Sequence, residues 1–288
     1  MKLPQDPRKL FIYFIHEREK IRVAKEMGLT APWTENEILA KYRFCNVNRE
    51  HDRVTEWIED NIREVYAEDE SLWFALIIAR LINQPNTLAR IYDKRGAHWN
   101  KARFIGATDP SLWDKPIFNA AYIVSTNGRQ MQKNEYLANC VLDPLWEARE
   151  SRPLKGRSSC STCKAWADWL LKFQGMGDFM ANQIVTDYKY TVICGMASDR
   201  GSFVMAGPGT RRGLNRYFSK DLYHSTTREK GAEQLITIRD TIKKDCSIAI
   251  NNHFFDLNNL SNCFCEFDKY MRALTGEGRP KQQYKEHA

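Results

Sequence analysis

The sequence has no long apolar run, no stretch that alternates apolar and polar residues over a strand's length, and no internal repeat. The longest apolar segment, Leu72–Ile82, is interrupted by Arg80 and is too short to cross a bilayer, which excludes a transmembrane helix there. Without alternation an all-β architecture has nothing to build on; residues 191–194 and 203–206 are short β-branched or apolar runs and no more. Also absent is a Gly-x-x-x-x-Gly-Lys-Ser/Thr loop, so an ATP-using kinase is not expected from these residues. The opening Met-Lys-Leu-Pro-Gln-Asp-Pro lacks the apolar core of a signal peptide, and the 8 cysteines sit among apolar neighbours. Both features predict a cytoplasmic protein with reduced thiols.

What is present is a chain of 288 residues, long enough to bury a full core without disulfide staples. Its net charge of +7 suits a polyanionic partner but falls well short of a basic arm, so charge alone argues only weakly for nucleic acid. Periodicity predicts mainly α structure. Phe11, Phe14, Ile15, Ile21 and Val23 recur at helical spacing before Gly28, with charges on the outer side. Thr34 followed by Glu37 has the form of a capping box and predicts a helix starting at Thr34. Val54, Trp57, Ile58, Ile62 and Val65 share one face of an amphipathic helix over 52–65. The segment Leu72–Ile82 is apolar nearly all round and follows Ser71, as a capped central helix would. Asp109-Pro110 repeats the cap-then-proline start for a helix carrying Leu112 and Trp113. Further helices are expected over 226–246 and 259–274. The organisation expected is one domain over 1–274, with lobes 1–155 and 156–274 around a cleft and a boundary within 149–161, then a flexible tail over 275–288.

Three segments carry candidate chemistry. Trp166, Trp169, Leu170 and Phe173 form a helical face that ends at Gly175-Met176-Gly177, and a second helix follows through Phe179, Ala181, Ile184 and Val185. Two glycines let a backbone approach a phosphate while the N–H groups opening the second helix point at it, a grip on DNA that reads no sequence. An ordinary αα-turn accounts for the same glycines. Gly207-Pro208-Gly209-Thr210-Arg211-Arg212 joins a loop to a helix start with two adjacent guanidiniums, which suits a phosphate or pyrophosphate; a surface turn with solvated arginines is the plain alternative. Between them lie Asp187 and Asp199, candidates for a catalytic carboxylate, although a lone loop aspartate is usually a cap.

Two polar clusters flank these. Asn46, Arg49, Asp52 and Arg53 can share one face at helical spacing, and Glu266, Lys269 and Tyr270 lie on one side of a helix, where salt-bridged faces are the default. Cys160-x-x-Cys163 and Cys263-x-Cys265 together offer four thiolates, but the second spacing is tighter than structural zinc pairs use, and no metal is expected.

In combination, Tyr42-Arg43-Phe44-Cys45-Asn46-Val47 with Arg49, Asp52 and Arg53, Gly175-Met176-Gly177-Asp178-Phe179-Met180-Ala181 with Gln183 and Asp187, Ala206-Gly207-Pro208-Gly209, and Cys265-Glu266-Phe267-Asp268-Lys269-Tyr270 resemble the α-glutamyl/putrescinyl thymine pyrophosphorylase family and the related helical domain of 5-hydroxymethyluracil DNA kinases. The resemblance implies a helix-hairpin-helix DNA glycosylase-like fold, typically phage-encoded, that flips a modified thymine out of double-stranded DNA. It also implies replacement of a pyrophosphate on the exocyclic methylene by the amine of an amino acid or polyamine, after an upstream DNA kinase has acted. On that basis Arg211 and Arg212 would steady the leaving pyrophosphate and Asp199 or Asp187 would take the amine proton. Asn46, Arg49, Asp52 and Arg53 would bind base or amine, with Glu266 and Lys269 orienting them. No cofactor is required, though the chemistry leaves room for Mg2+ at the departing pyrophosphate. Gln174 stands where glycosylase hairpins usually have proline, a departure from the pattern. A DNA-binding module without catalysis and a glycosylase that removes the modified base are the alternatives.

Overall fold

The computed structural model describes residues 3–92, 96–119, 125–153, 161–222, 224–245, 256–280 and 282–284. Among these the regular structure is helical and no strand occurs; an isolated antiparallel bridge joins Tyr42 and Gln283. The helices are α1 (Pro7–Glu26), α2 (Glu37–Lys41), α3 (Arg53–Ile58), α4 (Leu72–Ile82), α5 (Pro85–Ile91), α6 (Lys101–Ala107) and α7 (Lys133–Tyr136). They continue with α8 (Asp143–Glu147), α9 (Cys163–Leu170), α10 (Asp178–Tyr188), α11 (Pro208–Tyr217), α12 (Arg228–Asp245) and α13 (Leu257–Leu274). No helix among the described residues is long and apolar enough to cross a membrane.

The chain separates into two compact units, one made of Met1–Asp52 and Val204–Ala288, the other of Arg53–Phe203. This division differs from lobes meeting at 155/156. Residues 154–160 lie outside the described residues, but the segments on either side of them stay in one unit because their aromatic side chains share a core. Trp73 stacks on Trp146 at 6.0 Å and meets Trp169 at 5.8 Å, while the Trp169 indole N–H donates to Ser151 Oγ at 3.0 Å.

In the first unit, α1 begins at Asp6, whose carboxylate accepts from Arg8 N–H, with Pro7 in the first turn, where its missing N–H costs nothing. The helix gives way to Gly28 at φ +70°, a conformation glycine adopts without steric cost. Its apolar stripe packs on α13: Phe11 stacks on Phe264 at 4.1 Å and meets Phe267 edge-on at 5.2 Å, and Phe14 lies 4.9 Å from Tyr270. Helix α11 lies against α13 at unusually close range. A Cβ added to Gly213 would stand 2.1 Å from the Phe264 carbonyl oxygen, and one added to Gly209 would stand 2.6 Å from Cys265 Sγ. Glycines at positions i and i+4 thus let two backbones meet where any side chain would hold them apart.

In the second unit, α4 is buried on every face, as its uninterrupted apolar composition requires, and stops at Asn83 in the left-handed region. Arg80, the one charge in that helix, is buried with a bidentate grip on Asp187 of α10 at 2.5 and 2.6 Å. Thr55 and Asn83 lie within 3.4 Å of the same guanidinium and complete its hydrogen bonding.

Several local expectations need correction. Helix α2 starts at Asn36, not Thr34: the Asn36 carboxamide accepts from Ile38 and Leu39 N–H, which puts Glu37 at the first helical position instead of the third. Thr34 instead donates to Glu17 at 2.7 Å. The helix over 52–65 is α3 followed by a π-helical turn, Glu59–Arg63. Ser71 precedes α4 but its hydroxyl makes no capping bond. Asp109-Pro110 opens only a 3-10 turn, Pro110–Leu112. The tail expected to be free from 275 is tied where it is described: Glu277 pairs with Arg216 at 2.6 Å, and Arg43 N–H donates to the Gln282 carbonyl at 3.1 Å.

Candidate functional site

Each unit holds one candidate site. In the second unit, α9 and α10 are joined through Gly175 at φ +80° and Gly177, the N-cap of α10. Met176 between them is buried and anchors the turn, whereas Gly177 has open space around it: an added Cβ would meet nothing within 4 Å. The N-cap of α10 is a glycine and so offers no side chain to the first turn, and Phe179 in that turn is exposed. A helix start with a glycine N-cap, open space at that glycine and a partial positive charge from the helix dipole is suited to an anionic oxygen such as a backbone phosphate.

The two aspartates considered for catalysis beside this hairpin are both engaged. Asp199 accepts from the N–H groups of Cys163 and Lys164 at 2.7 and 2.9 Å and so caps α9, with Thr162 also bonded to Ala165 N–H. Asp187 is held by Arg80 in the core. Each carboxylate serves a structural bond in this geometry.

In the first unit, the loop after α2 and one side of α13 are zipped together by buried polar groups. Cys45 N–H donates to Glu266 Oε2 at 3.0 Å; the same oxygen receives Lys269 Nζ at 3.0 Å, and Lys269 also donates to the Arg43 carbonyl at 3.1 Å. Asn46 N–H donates to Asp52 Oδ1 at 2.8 Å, and Arg49 lies 3.6 Å from Asp52 Oδ2. The Asn259 carboxamide accepts from Arg49 N–H at 3.1 Å and donates to Asn48 Oδ1 at 3.2 Å. Beneath them the buried Arg18 donates to the Cys45 carbonyl and lies 3.5 Å from Cys263 Sγ. Burial raises the Asp52 carboxyl above its ordinary range even though Arg49 opposes the shift. Burial likewise pushes the Cys45 thiol up, with Glu266 and Asp52 adding to it, and pushes Cys265 to about 11, so neither thiol carries appreciable thiolate at neutral pH.

Asn46, Arg49, Asp52, Glu266 and Lys269, more than 200 positions apart in sequence, therefore gather in one cluster. Arg53 does not join them; it is exposed and begins α3 in the other unit. In the loop ahead of α11, Arg211 donates to the Ala206 carbonyl at 3.0 Å. Arg212 grips the buried Asp268, which Arg216 also holds at 2.8 Å and Arg272 approaches at 3.4 Å. Gly207 has free space around it, whereas Gly209 is used up in helix contact. Of the four cysteines considered for zinc, Cys160 lies outside the described residues, and among the described residues no three or more metal-ligating side chains gather.

Arg18 and Asn259 escaped the sequence reading. For Arg18 a signal existed: positions 11, 14, 18 and 21 form one helical stripe, which places the guanidinium on the buried side of α1. Asn259 had none, because its partners lie at the far end of the chain.

Residues 6–279 match the family described as 5-hmdU DNA kinase, helical domain. The 5-hmdU DNA kinase of Bacillus phage SP10 is 24% identical over an alignment of 304 residues that covers 92% of this chain and 45% of that protein. The chain thus spans less than half the length of this relative. No solved structure matches it.

Proposed function

The chain belongs to the family of 5-hmdU DNA kinase helical domains, and from that premise we propose that it acts on modified thymine in phage DNA, transferring an amino acid or polyamine amine onto the exocyclic methylene with release of pyrophosphate. The observation that carries this is the convergence of the 45–52 and 259–269 segments into one partly buried cluster of opposite charges. Buried ion pairs are a poor device for stability, since desolvation offsets most of their attraction, and they recur where charge must be handled away from water. In this reading Asp52, whose proton affinity burial has raised, takes the proton from the incoming ammonium in place of Asp199 or Asp187. Glu266 and Lys269 orient the amine. Arg211 and Arg212, at the start of α11, are assigned to the departing pyrophosphate. The fold we infer is of the helix-hairpin-helix glycosylase type, with Gly175-Met176-Gly177 seated on the strand backbone and the target base flipped out.

The test is to incubate duplex DNA carrying pyrophosphorylated 5-hydroxymethyluracil with candidate amines, digest to nucleosides and analyse by mass spectrometry. A nucleoside heavier by the amine, lost in Asp52→Asn, is expected. No new nucleoside with any amine would overturn the transferase reading. That result would leave a second one, a DNA-binding module working beside a kinase, which the engagement of Asp187 and Asp199 in structural bonds favours.

A further inference from the structure

Around α13, successive residues are set 100° apart, so its contacts define its sides. On one side Asn259, Cys263, Glu266 and Tyr270 meet the loop after α2, and on another Ser261, Phe264 and Asp268 meet α11. Between these two sides runs a stripe of Asn258, Asn262, Cys265 and Lys269, each one turn from the next. Asn258 is only 4% exposed, yet neither its Oδ1 nor its Nδ2 has a hydrogen-bond partner among the described residues, and Asn262 Nδ2 is buried without one as well. Its backbone is satisfied, since Asn258 N–H donates to the capping Asp256.

A buried carboxamide with both polar atoms unsatisfied opposes folding, and native structures keep such groups where something else completes them. In either orientation of the amide, the side chain presents one donor and one acceptor side by side. That pair complements a neutral ligand edge with an N–H next to a C=O. Lys269, at the other end of the stripe, already faces the Glu266 carboxylate, so charge at that end is balanced. We propose that Asn258, with Asn262 beside it, reads the imide edge of the pyrimidine-dione ring, accepting from ring N3–H and donating to an adjacent carbonyl oxygen. The inference rests on the proposed action on modified thymine and adds a specificity-determining residue to it.

The test measures binding, not turnover. Single-stranded oligonucleotides bearing one 5-hydroxymethyluracil, or the same base methylated at N3, are titrated with the full chain by fluorescence anisotropy. The wild type should bind the N3-methyl oligonucleotide about tenfold more weakly, the size of one lost bidentate contact. In Asn258→Leu, of similar shape, and Asn258→Ala, both of which have lost the acceptor for N3–H, the two oligonucleotides should bind within about twofold of one another, the discrimination having gone with the contact. The melting temperature of Asn258→Leu should not fall, because two unsatisfied polar atoms have been removed. A wild type indifferent to N3 methylation, variants that keep the discrimination, or Asn258→Leu losing affinity for glycine or putrescine instead would each overturn the proposal. Failure of the transferase reading would show separately, as an unchanged nucleoside profile with the base discrimination intact.

Discussion

Two glycine pairs, each two or four positions apart, are put to opposite physical use. Gly175 and Gly177 bracket a turn, one in the left-handed region and the other with free space around it at the start of α10. Gly209 and Gly213 lie inside α11 and exist to be touched, their missing side chains filled by Cys265 and the Phe264 backbone. The first pair leaves the space at Gly177 clear of a side chain; the second brings α13 close enough to α11 for Arg212 and Arg216 to reach Asp268. A pair of glycines near a helix start therefore does not indicate phosphate binding until the neighbouring space is known.

The comparison can be broken first at its most buried charge. In the second unit, Arg80→Met leaves the Asp187 carboxyl buried in the core without its partner and should cost about 3–5 kcal/mol in urea unfolding, whereas the double variant Arg80→Met, Asp187→Leu should recover most of it. A smaller effect separates the glycines themselves. Gly213→Ala should destabilise by about 1–3 kcal/mol through overpacking, even though alanine is the better helix former by up to about 1 kcal/mol. Gly177→Ala should cost less than about 1 kcal/mol while weakening duplex DNA binding several-fold. If the two substitutions destabilise equally, the assigned roles are wrong. The smallest effect lies at Asp52. Its raised carboxyl contributes stability that is fully present below the ordinary aspartate range and lost as pH rises through the folded value. Asp52→Asn should therefore gain on the wild type in melting temperature between about pH 4 and neutrality, and a gain that shrinks over that range would reverse the assignment.

Much of the helix inventory was legible because it rests on local pattern. The stripe of α1, the all-round apolar α4 and the helix expected over 259–274 follow from side-chain spacing, and each forms, the last starting at Leu257. Starts were less legible where two caps compete: Asn36 captures two N–H groups that a Thr34 start would have needed. At the candidate site, the polar residues of 45–52 and 265–269 could be named from their types, but not their meeting. Nor could the engagement of Asp199 as a cap be read, since the N–H groups it satisfies belong to residues 36 and 35 positions earlier.

By itself the sequence determined that this protein is mainly helical, where most of its helices run, which residues are polar enough to carry chemistry and to which family it belongs. Only the tertiary structure decided which of those polar groups are occupied, which glycines are open and which carboxamide is buried without a partner. Helical periodicity is set by neighbours within one turn, whereas the satisfaction of a buried donor or carboxylate depends on groups brought from hundreds of residues away.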